Sequence, residues 1–425
     1  MRRFALDDID QALLALRATG VSSTEVRATV TDVLADVRRR GDAALRAFTA
    51  RFDGVELAAP LGVPGETLWH ALETSSPALV DALTTAAANI REYHSLEAPK
   101  PWRAQLAQGQ TVGQEIMPLA AAGLYVPGGL ANYPSSVLMT AIPAQVAGVA
   151  SIVVCSPPRK DGSVPPGVAA ACALLGVDQV FPVGGAQAVA AMAYGTESVP
   201  RCDVIVGPGN AYVTEAKRQV MGDVAIDGLA GPSEVLIVAD AHAEPEWLAA
   251  DALAQAEHGA GAMGAVLSLD RALSDRLERE ILRLSERLQI GIDNVTIVDC
   301  RSLEAAMELV NAFGPEHLEL HVAEPGDALK QVRSAGAVFL GRHAATAFAD
   351  YAAGTNHVLP TGGSARFSQG LSVDAFVRRV GVVEIDALSA GALAPLVSTI
   401  AREEGLRAHA LSVELRAGIS SELRG

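Results

Sequence analysis

The sequence predicts an α/β protein with two doubly wound, incompletely Rossmann-like domains, each built on a parallel sheet. Short β-branched runs alternate with helices of about ten to fifteen residues, first from AGLYVP at residue 122 and again from EVLIVAD at residue 234. This alternation implies right-handed crossovers and sheets that are covered on both faces. Half of the 425 residues are hydrophobic, which is enough to fill two cores rich in Ala, Val and Leu.

The first alternation contains four strand-like runs, each followed by a helical stretch. The runs are AGLYVP, SIVVCSP, QVFPVGG and DVIVGPGN. From them we expect a nucleotide-binding domain over residues 125–233. The second alternation continues through AVLSLD, NVTIVDC, HLELHV and GAVFLG. We therefore group residues 21–124 with residues 234–375 as the other α/β domain.

The two ends of the chain lack this alternation. We expect a small helical extension over residues 1–20 and a helical segment over residues 376–425, with Gly405 as a possible break. Between Gly341 and the C-terminal helices the regular pattern gives way to an irregular loop. Long loops of this kind inside compact domains are more often functional than not.

Composition and charge exclude several classes of protein. A formal charge of -16 argues against a surface that binds nucleic acid. The N-terminal apolar run is too short and broken for a signal peptide, and Pro and Gly interrupt every apolar stretch below membrane-spanning length. We expect a cytoplasmic protein without a membrane partner. The scattered cysteines are predicted to be core residues without disulfides, and they are Cys155, Cys172, Cys202 and Cys300.

Glycine-rich turns follow three of the first four strands. In YVPGG, VGGAQ and VGPGN, glycine lets the backbone approach a ligand closely, and the following helix offers unpaired N–H groups to a phosphate. Tyr125, Gln187 and Asn210 lie on these turns and are candidates for contacts with a nucleotide cofactor. Ordinary turn chemistry is the alternative, particularly for Asn210.

A possible metal site begins in the segment AQAEHG. Pro245 fits the start of a helix that Gly259 can close with a left-handed cap, so Gln255 and His258 are predicted to share one face of its last turn. A lone histidine in this position more often complements the negative end of the helix dipole. The metal interpretation therefore depends on donors from elsewhere in the chain.

Four other polar clusters supply such donors. They contain Ser233 in GPSEV, Glu316 and His317 in GPEHL, Asp350 and His357 in DYAAGTNH, and Glu404 and His409 in EEGLRAH. Adjacent side chains on a strand point apart, so Glu316 and His317 could address a water molecule and a substrate proton separately. A donor set of imidazole, carboxylate and amide oxygen suits a borderline divalent ion such as zinc, with manganese or cobalt tolerable.

Together these motifs resemble the L-histidinol dehydrogenase family, from about residue 20 to residue 420. The motifs are GLYVPGG, VGGAQA, GPGNAYVTEAKRQV, AGPSEVLI, AQAEHG, GPEHLEL, DYAAGTNHVLPT and EEGLRAH. The resemblance implies an NAD-dependent enzyme that oxidises L-histidinol to L-histidine through histidinaldehyde, the last two reactions of histidine biosynthesis. It also implies one Zn2+ per subunit and a domain-crossed homodimer, in which the C-terminal segment completes the neighbour's site.

The resemblance assigns a role to each candidate residue. The zinc ligands would be Gln255, His258, Asp350 and His409. The same four residues would meet the substrate, together with Ser233, His317, His357 and Glu404. Glu316 and His317 would carry the proton chemistry, and the contacts with NAD would come from Tyr125, Gln187 and Asn210. In the dimer, Glu404 and His409 would act in trans. One departure is AGAMGAV after AQAEHG, where the family has a more polar stretch; it affects the loop beside His258 but removes no ligand.

Three other functions remain open. A related zinc- and NAD-dependent dehydrogenase for another small alcohol would be expected to lose residues that recognise the amine and imidazole of histidinol, yet His357, Glu404 and His409 are present. A zinc hydrolase would use the metal to activate water and would turn over without NAD. A non-catalytic metal-binding module would not need five separate polar clusters.

Overall fold

A computed structural model describes residues 1–17, 24–128, 132–259 and 261–419. The chain divides into two compact units, one of Met1–Glu97 with Leu119–Phe376 and one of Ala98–Pro118 with Val377–Gly425. No helix in the described ranges combines the length and the apolar character that a membrane span requires. The second glycine of the YVPGG turn and the predicted helical residues 420–423 lie outside these ranges.

The described residues form fourteen strands and sixteen α-helices. The strands are β1 (Arg2–Ala5), β2 (Trp102–Gln105), β3 (Thr111–Pro118), β4 (Ala121–Tyr125), β5 (Ser151–Cys155), β6 (Gln179–Phe181), β7 (Val204–Val206), β8 (Ala225–Ile226), β9 (Glu234–Ala239), β10 (Met263–Ser268), β11 (Val295–Asp299), β12 (His317–His321), β13 (Ala337–Leu340) and β14 (Val377–Glu384). The first eight helices are α1 (Ile9–Leu16), α2 (Thr24–Arg40), α3 (Asp42–Phe52), α4 (Gly65–Glu73), α5 (Pro77–Glu97), α6 (Pro134–Ala147), α7 (Pro166–Leu175) and α8 (Gly185–Tyr194). The remaining helices are α9 (Ala211–Val220), α10 (Pro245–Ala256), α11 (Arg271–Leu288), α12 (Leu303–Phe313), α13 (Pro325–Leu329), α14 (Thr346–Tyr351), α15 (Ala387–Glu403) and α16 (Arg407–Arg416). The predicted β/α alternation corresponds to β4 to β7 and β9 to β13.

The larger sheet of the first unit has six parallel strands in the order β1-β11-β10-β9-β12-β13. Strand β9, with the sequence EVLIVA, is buried along its whole length because helices cover both faces of the sheet. Helices α10 and α11 fill the core on one face, and α1, α12 and α13 fill the core on the other. The fold class predicted from the β/α alternation is therefore confirmed for this sheet.

The smaller sheet has five parallel strands in the order β6-β5-β4-β7-β8. The four predicted strands are β4 to β7, and the two-residue β8 was not predicted. Helices α4 to α7 pack on one face, and α2, α3, α8 and α9 pack on the other. The four cysteines are free and buried, as predicted. Three of them lie in the two cores of this sheet, namely Cys155, Cys172 and Cys202.

The predicted domain boundaries need three corrections. Helices α2 to α5 belong with the five-stranded sheet and not with residues 234–375, because their apolar faces complete both cores of that sheet. Strand β4 begins at Ala121, before the predicted start of the nucleotide-binding domain at residue 125. Residues 1–20 are not only helical, since β1 pairs with β11 at the edge of the six-stranded sheet.

The second unit contains an antiparallel sheet in the order β14-β3-β2 and two helices, α15 and α16. Residues 376–425 were predicted to be helical, but Val377–Glu384 form β14, because the β-branched VRRVGVVE pairs along its whole length with β3. Gly405, with a φ of 75°, separates α15 from α16 and confirms the predicted break.

Candidate functional site

A cavity of about 860 Å³ in the first unit gathers all the predicted site residues of that unit. Its lining includes Tyr125, Gln187, Asn210, Ser233, Gln255, His258, Glu316, His317, Asp350 and His357. The two other predicted residues belong to the second unit: Glu404 directly follows α15 as its C-cap, and His409 lies in the first turn of α16, both exposed. The first-unit residues come from segments far apart in sequence, and the fold brings them to one place.

Glu316 and His317 form a buried acid–imidazole pair at the amino end of β12. The Oε2 atom of Glu316 accepts hydrogen bonds from the Ser233 hydroxyl and from the Glu234 N–H, both at 2.8 Å. It also lies 3.4 Å from Nδ1 of His317. Burial favours the neutral imidazole, but the charge of Glu316, its hydrogen bond and the charge of Asp350 outweigh burial and raise the pKa of His317 to about 9.

Three histidines around the cavity share one hydrogen-bonding pattern. In each, Nδ1–H donates to a backbone carbonyl: His258 to Ala254 at 3.0 Å, His317 to Glu234 at 3.1 Å, and His357 to Asp350 at 2.9 Å. This fixes the tautomer and leaves Nε2 as the atom that can accept a proton or bind a metal. Nε2 of His317 is buried without a hydrogen-bond partner and lies 3.8 Å from Oδ1 of Asp350.

The donors around Asp350 fit a divalent cation. Gln255 is buried, and the Nε2 end of its amide group has no partner, so an amide rotated by 180° would present its oxygen there. Burial raises the pKa of Asp350, whereas the charges of His317, His357 and His258 lower it, so a carboxylate at this position gains from a nearby positive charge. The carboxyl ends of α10 and α14 also point their negative dipole ends toward this region.

The prediction that His258 lies in the last turn of α10 is wrong. His258 lies in the turn that follows the helix. Helix α10 ends at Ala256, and the His258 N–H donates to the Gln255 carbonyl at 3.3 Å. Gly259 has a φ of 114°, so the predicted positive-φ glycine after the helix is present. The positive φ of Gly259 turns the chain away from the helix axis. As a result, His258 is exposed, whereas Gln255, on the helix, is buried.

The glycine-rich turns lie on the other side of the same cavity. The Tyr125 side chain is buried, and its hydroxyl oxygen accepts the Gly185 N–H at 3.1 Å. Oδ1 of Asn210 accepts the N–H groups of Tyr212 and Val213 at 3.0 and 3.2 Å, and so caps α9. These residues have turn and capping roles, and their position on the cavity leaves a cofactor contact open as well.

An unpredicted ion pair holds the turn that follows β7. Gly207 has a φ of 109°, and a Cβ there would lie 2.2 Å from the Tyr125 carbonyl oxygen, so only glycine fits. Its N–H donates to Oδ2 of Asp227 at 2.7 Å, and its carbonyl accepts from Nζ of Lys217 at 3.0 Å. Lys217 also pairs directly with Asp227, and both side chains are buried. In the sequence, Lys217 looks like an ordinary helix-surface lysine, so no local signal marks it.

Sequence reasoning also missed two groups of buried carboxylates. Glu234 accepts the Gly362 N–H at 3.1 Å, and burial followed by the charge of Glu316 raises its pKa to about 7. Among the described residues, Asp251, Glu319 and His321 place ligand-type atoms within 4.8 Å of one another. Nε2 of His321 lies 3.0 Å from Oε2 of Glu319. Neither group forms a sequence motif, because its members meet only after β9, β12 and α10 pack together.

Comparison with known proteins gives a consistent result. The family model described as histidinol dehydrogenase matches residues 16–417. The histidinol dehydrogenase of Pseudomonas aeruginosa is 48% identical over 405 residues, covering 93% of this chain and 92% of the relative. That of Methanosarcina barkeri is 44% identical over 421 residues, covering 97% of each. The crystal structure of histidinol dehydrogenase from Elizabethkingia anophelis is 32% identical, with a TM-score of 0.94 over 98% of each chain.

Proposed function

Because the chain belongs to the histidinol dehydrogenase family, we propose that it oxidises L-histidinol to L-histidine through histidinaldehyde, with two NAD and one zinc ion per subunit. The observation that carries this proposal is the buried Glu316–His317 pair, which faces a cavity shared with metal-type donors and glycine-rich turns. Membership of a dehydrogenase family argues against the two alternatives of a zinc hydrolase and a non-catalytic metal-binding module.

We assign the metal site to Gln255, His258 and Asp350, with His409 of the partner subunit as the fourth ligand. When bound, zinc would hold the amine and imidazole nitrogens of histidinol and so orient its CH2OH group. Ser233 and His357 would line the substrate pocket, with Glu404 of the partner subunit reaching the substrate. Tyr125, Gln187 and Asn210 face the same cavity from the glycine-rich side and would contact NAD.

His317 is positioned to act as the base in both oxidations. Its unpartnered Nε2 takes the proton of the alcohol while the carbinol hydrogen leaves as hydride for NAD. A cation bound by Asp350 offsets the negative charge that helps raise the pKa of His317, so it favours the neutral imidazole that a base requires. Once this proton has passed to solvent and the aldehyde is hydrated, the same nitrogen takes a hydroxyl proton of the hydrate as the second hydride leaves for the second NAD.

Glu316 is the residue suited to the hydration step. Oε2 of its carboxylate is held by the Ser233 hydroxyl and the Glu234 N–H, which leaves Oε1 to accept a proton from the water that adds to the aldehyde. Glu316→Gln should therefore slow oxidation of histidinaldehyde by about 100-fold and oxidation of histidinol much less. Single-turnover assays started from each substrate measure the two steps separately. Equal losses in both would contradict this division of labour.

The stoichiometry of the reaction tests the function itself. Purified, zinc-loaded protein is mixed with limiting L-histidinol and excess NAD, and NADH is measured by its absorbance. We expect two NADH for each histidinol consumed, with L-histidine as the product. One NADH, or none, would overturn the proposal. An amino alcohol without the imidazole ring serves as the control, because a dehydrogenase for another small alcohol would accept it.

The shared site can be tested by mixing two inactive proteins. His258→Ala and His409→Ala each remove one proposed zinc ligand, and each homodimer should be inactive. If His409 acts in the partner's site, subunit exchange creates mixed dimers in which one site contains both wild-type histidines. Activity should then return to a fraction of the wild-type value. No recovery after exchange demonstrated by mass spectrometry would contradict sharing between subunits.

A further inference from the structure

Two rows of polar residues lie on the same three elements, α10, β12 and α14. On α10, Asp251 and Gln255 are four residues apart, and on α14 the same spacing separates Thr346 from Asp350. This spacing places each pair on one side of its helix, one turn apart. On β12, Glu319 is two positions from His317 and shares its face of the sheet. Gln255 and Asp350 thus each have a polar neighbour one turn away, the half-buried Asp251 and the buried Thr346.

Glu319 joins two of these elements by direct hydrogen bonds. It is fully buried, and its Oε1 accepts the Thr346 N–H at 2.7 Å and the Thr346 hydroxyl at 2.8 Å. Thr346 is the first residue of α14, and the preceding residue, Ala345, offers no side-chain cap. The carboxylate of Glu319 therefore supplies from a neighbouring strand the acceptor that a helix start requires.

The short length of α14 makes this contact important for Asp350. The helix has six residues, and so short a segment does not hold its shape without tertiary contacts. At its far end, the Asp350 carbonyl accepts Nδ1–H of His357 at 2.9 Å. About one helical turn separates the residues that bond to Glu319 and to His357, so these contacts hold the two ends of the short helix that carries Asp350.

Glu319 also reaches toward the helix that carries Gln255. The side chains of Asp251, Glu319 and His321 place ligand-type atoms within 4.8 Å of one another. Burial and the charge of Glu319 raise the pKa of Asp251, whose carboxyl group is hydrogen-bonded with that of Glu319. His321, also on β12, is the third member of the cluster, and its Nε2 lies 3.0 Å from Oε2 of Glu319. One carboxylate therefore connects α10, β12 and α14.

We propose that Glu319 is a positioning residue for the metal site, which holds the helices of Gln255 and Asp350 at the spacing that a shared cation requires. It does not touch the metal itself. The inference rests on the proposed assignment of Gln255 and Asp350 as metal ligands. Loss of a residue that positions the metal ligands without touching the metal typically lowers metal affinity by about 10- to 100-fold.

The test compares Glu319→Ala with a matched buried carboxylate elsewhere in the same unit. Asp42 is buried, and it accepts hydrogen bonds from the Ser198 N–H and hydroxyl, as Glu319 does from Thr346. Asp42 is not part of the cavity lining, so Asp42→Ala controls for a general loss of stability. Zinc affinity is measured on the full-length protein by chelator competition, and metal geometry by the visible absorption spectrum of the Co2+-substituted protein.

Glu319→Ala should weaken zinc binding by about 10- to 100-fold and change the Co2+ spectrum, whereas Asp42→Ala should leave both unchanged. Glu319→Gln keeps an acceptor for Thr346, so an intermediate loss is expected, and this variant decides the question if Glu319→Ala does not fold. Wild-type zinc affinity and Co2+ spectrum in the variant that folds would overturn this inference alone. Absence of zinc binding by the wild-type protein would overturn the proposed metal site, and this inference with it.

Discussion

The two sheets of the first unit present opposite ends of their strands to the same cavity. The five-stranded sheet contributes a backbone edge, which consists of Gly185 and residues 208–210 in the turns that follow β6 and β7. The six-stranded sheet contributes a side-chain edge, consisting of Ser233, Glu316 and His317 at the amino ends of β9 and β12. One edge offers glycine turns and N–H groups to a ligand, and the other offers buried ionisable side chains.

The helix ends follow the same division. Helices α8 and α9 begin at the backbone edge, and their amino ends carry the partial positive charge that suits a phosphate. Helices α10 and α14 end beside the side-chain edge, and their carboxyl ends carry the partial negative charge that suits a cation. The cavity is therefore polarised by the direction of its helices, with an anion expected at one edge and a metal at the other.

Replacing His317, the proposed base, should have the largest effect and should act on the side-chain edge only. His317→Asn removes the Nε2 that accepts protons, so we expect kcat for both oxidations to fall by about 1000-fold. The KM for NAD should stay within about twofold, because the backbone edge is unchanged. Steady-state kinetics measure both values, with the exposed His242→Asn as the control. A comparable rise in the KM for NAD would show that the edges do not act separately.

The complementary change removes the cation behind the backbone edge. Lys217→Met leaves Asp227 buried without its partner, and loss of one member of a buried pair costs about 3 kcal/mol of unfolding free energy. The turn at Gly207 loses a hydrogen bond, so the KM for NAD should rise while zinc affinity stays unchanged. Urea unfolding and chelator competition measure the two effects. Lys330→Met, which removes an exposed pair with Asp327, should cost less than about 1 kcal/mol.

Glu234 gives the side-chain edge a dependence on pH. Its folded pKa of about 7 exceeds the ordinary value of 4.5, so the folded chain favours the neutral acid and loses stability as pH rises between these values. Relative to Glu234→Gln, wild-type unfolding free energy should fall by about 2 kcal/mol from pH 5 to pH 8. Urea titrations at both pH values measure the change, with the exposed Glu66→Gln as control. A difference that does not vary with pH would contradict the assignment.

The smallest effect is expected at Asn210, where capping and cofactor contact can be separated. Asn210→Ala removes the acceptor for two N–H groups and should lower the unfolding free energy by about 1 kcal/mol. Asn210→Ser retains a capping hydroxyl and should restore that stability. If the KM for NAD remains raised in the serine variant, the amide contacts the cofactor. A wild-type KM would mean that Asn210 acts only as a cap.

Local patterns in the sequence predict much of this molecule. The β/α alternation predicts both parallel sheets, and the turns after β6 and β7 are where the glycines indicate. Residues such as Glu316 and His317 are found because a short motif contains them. Lys217 and Glu319 could not be predicted from the sequence, because each acts through a partner elsewhere in the chain, Asp227 and Thr346 respectively. The end of α10 was misjudged by two residues, because the helix stops at Ala256 and a turn containing His258 precedes the positive-φ Gly259.

The antiparallel sheet of the second unit has a consequence for the order of assembly during translation. Strand β3 pairs on one side with the adjacent β2, but its other edge is filled by β14, which is synthesised only after the first unit is complete. Until then, β2 and β3 form a two-stranded hairpin, which is marginally stable, and β3 has an open edge that other chains can approach. Strand β14, which covers this edge, directly precedes α15 and α16 in the sequence. The strand that pairs with β3 and the last proposed active-site residues, Glu404 and His409, are therefore synthesised one after the other.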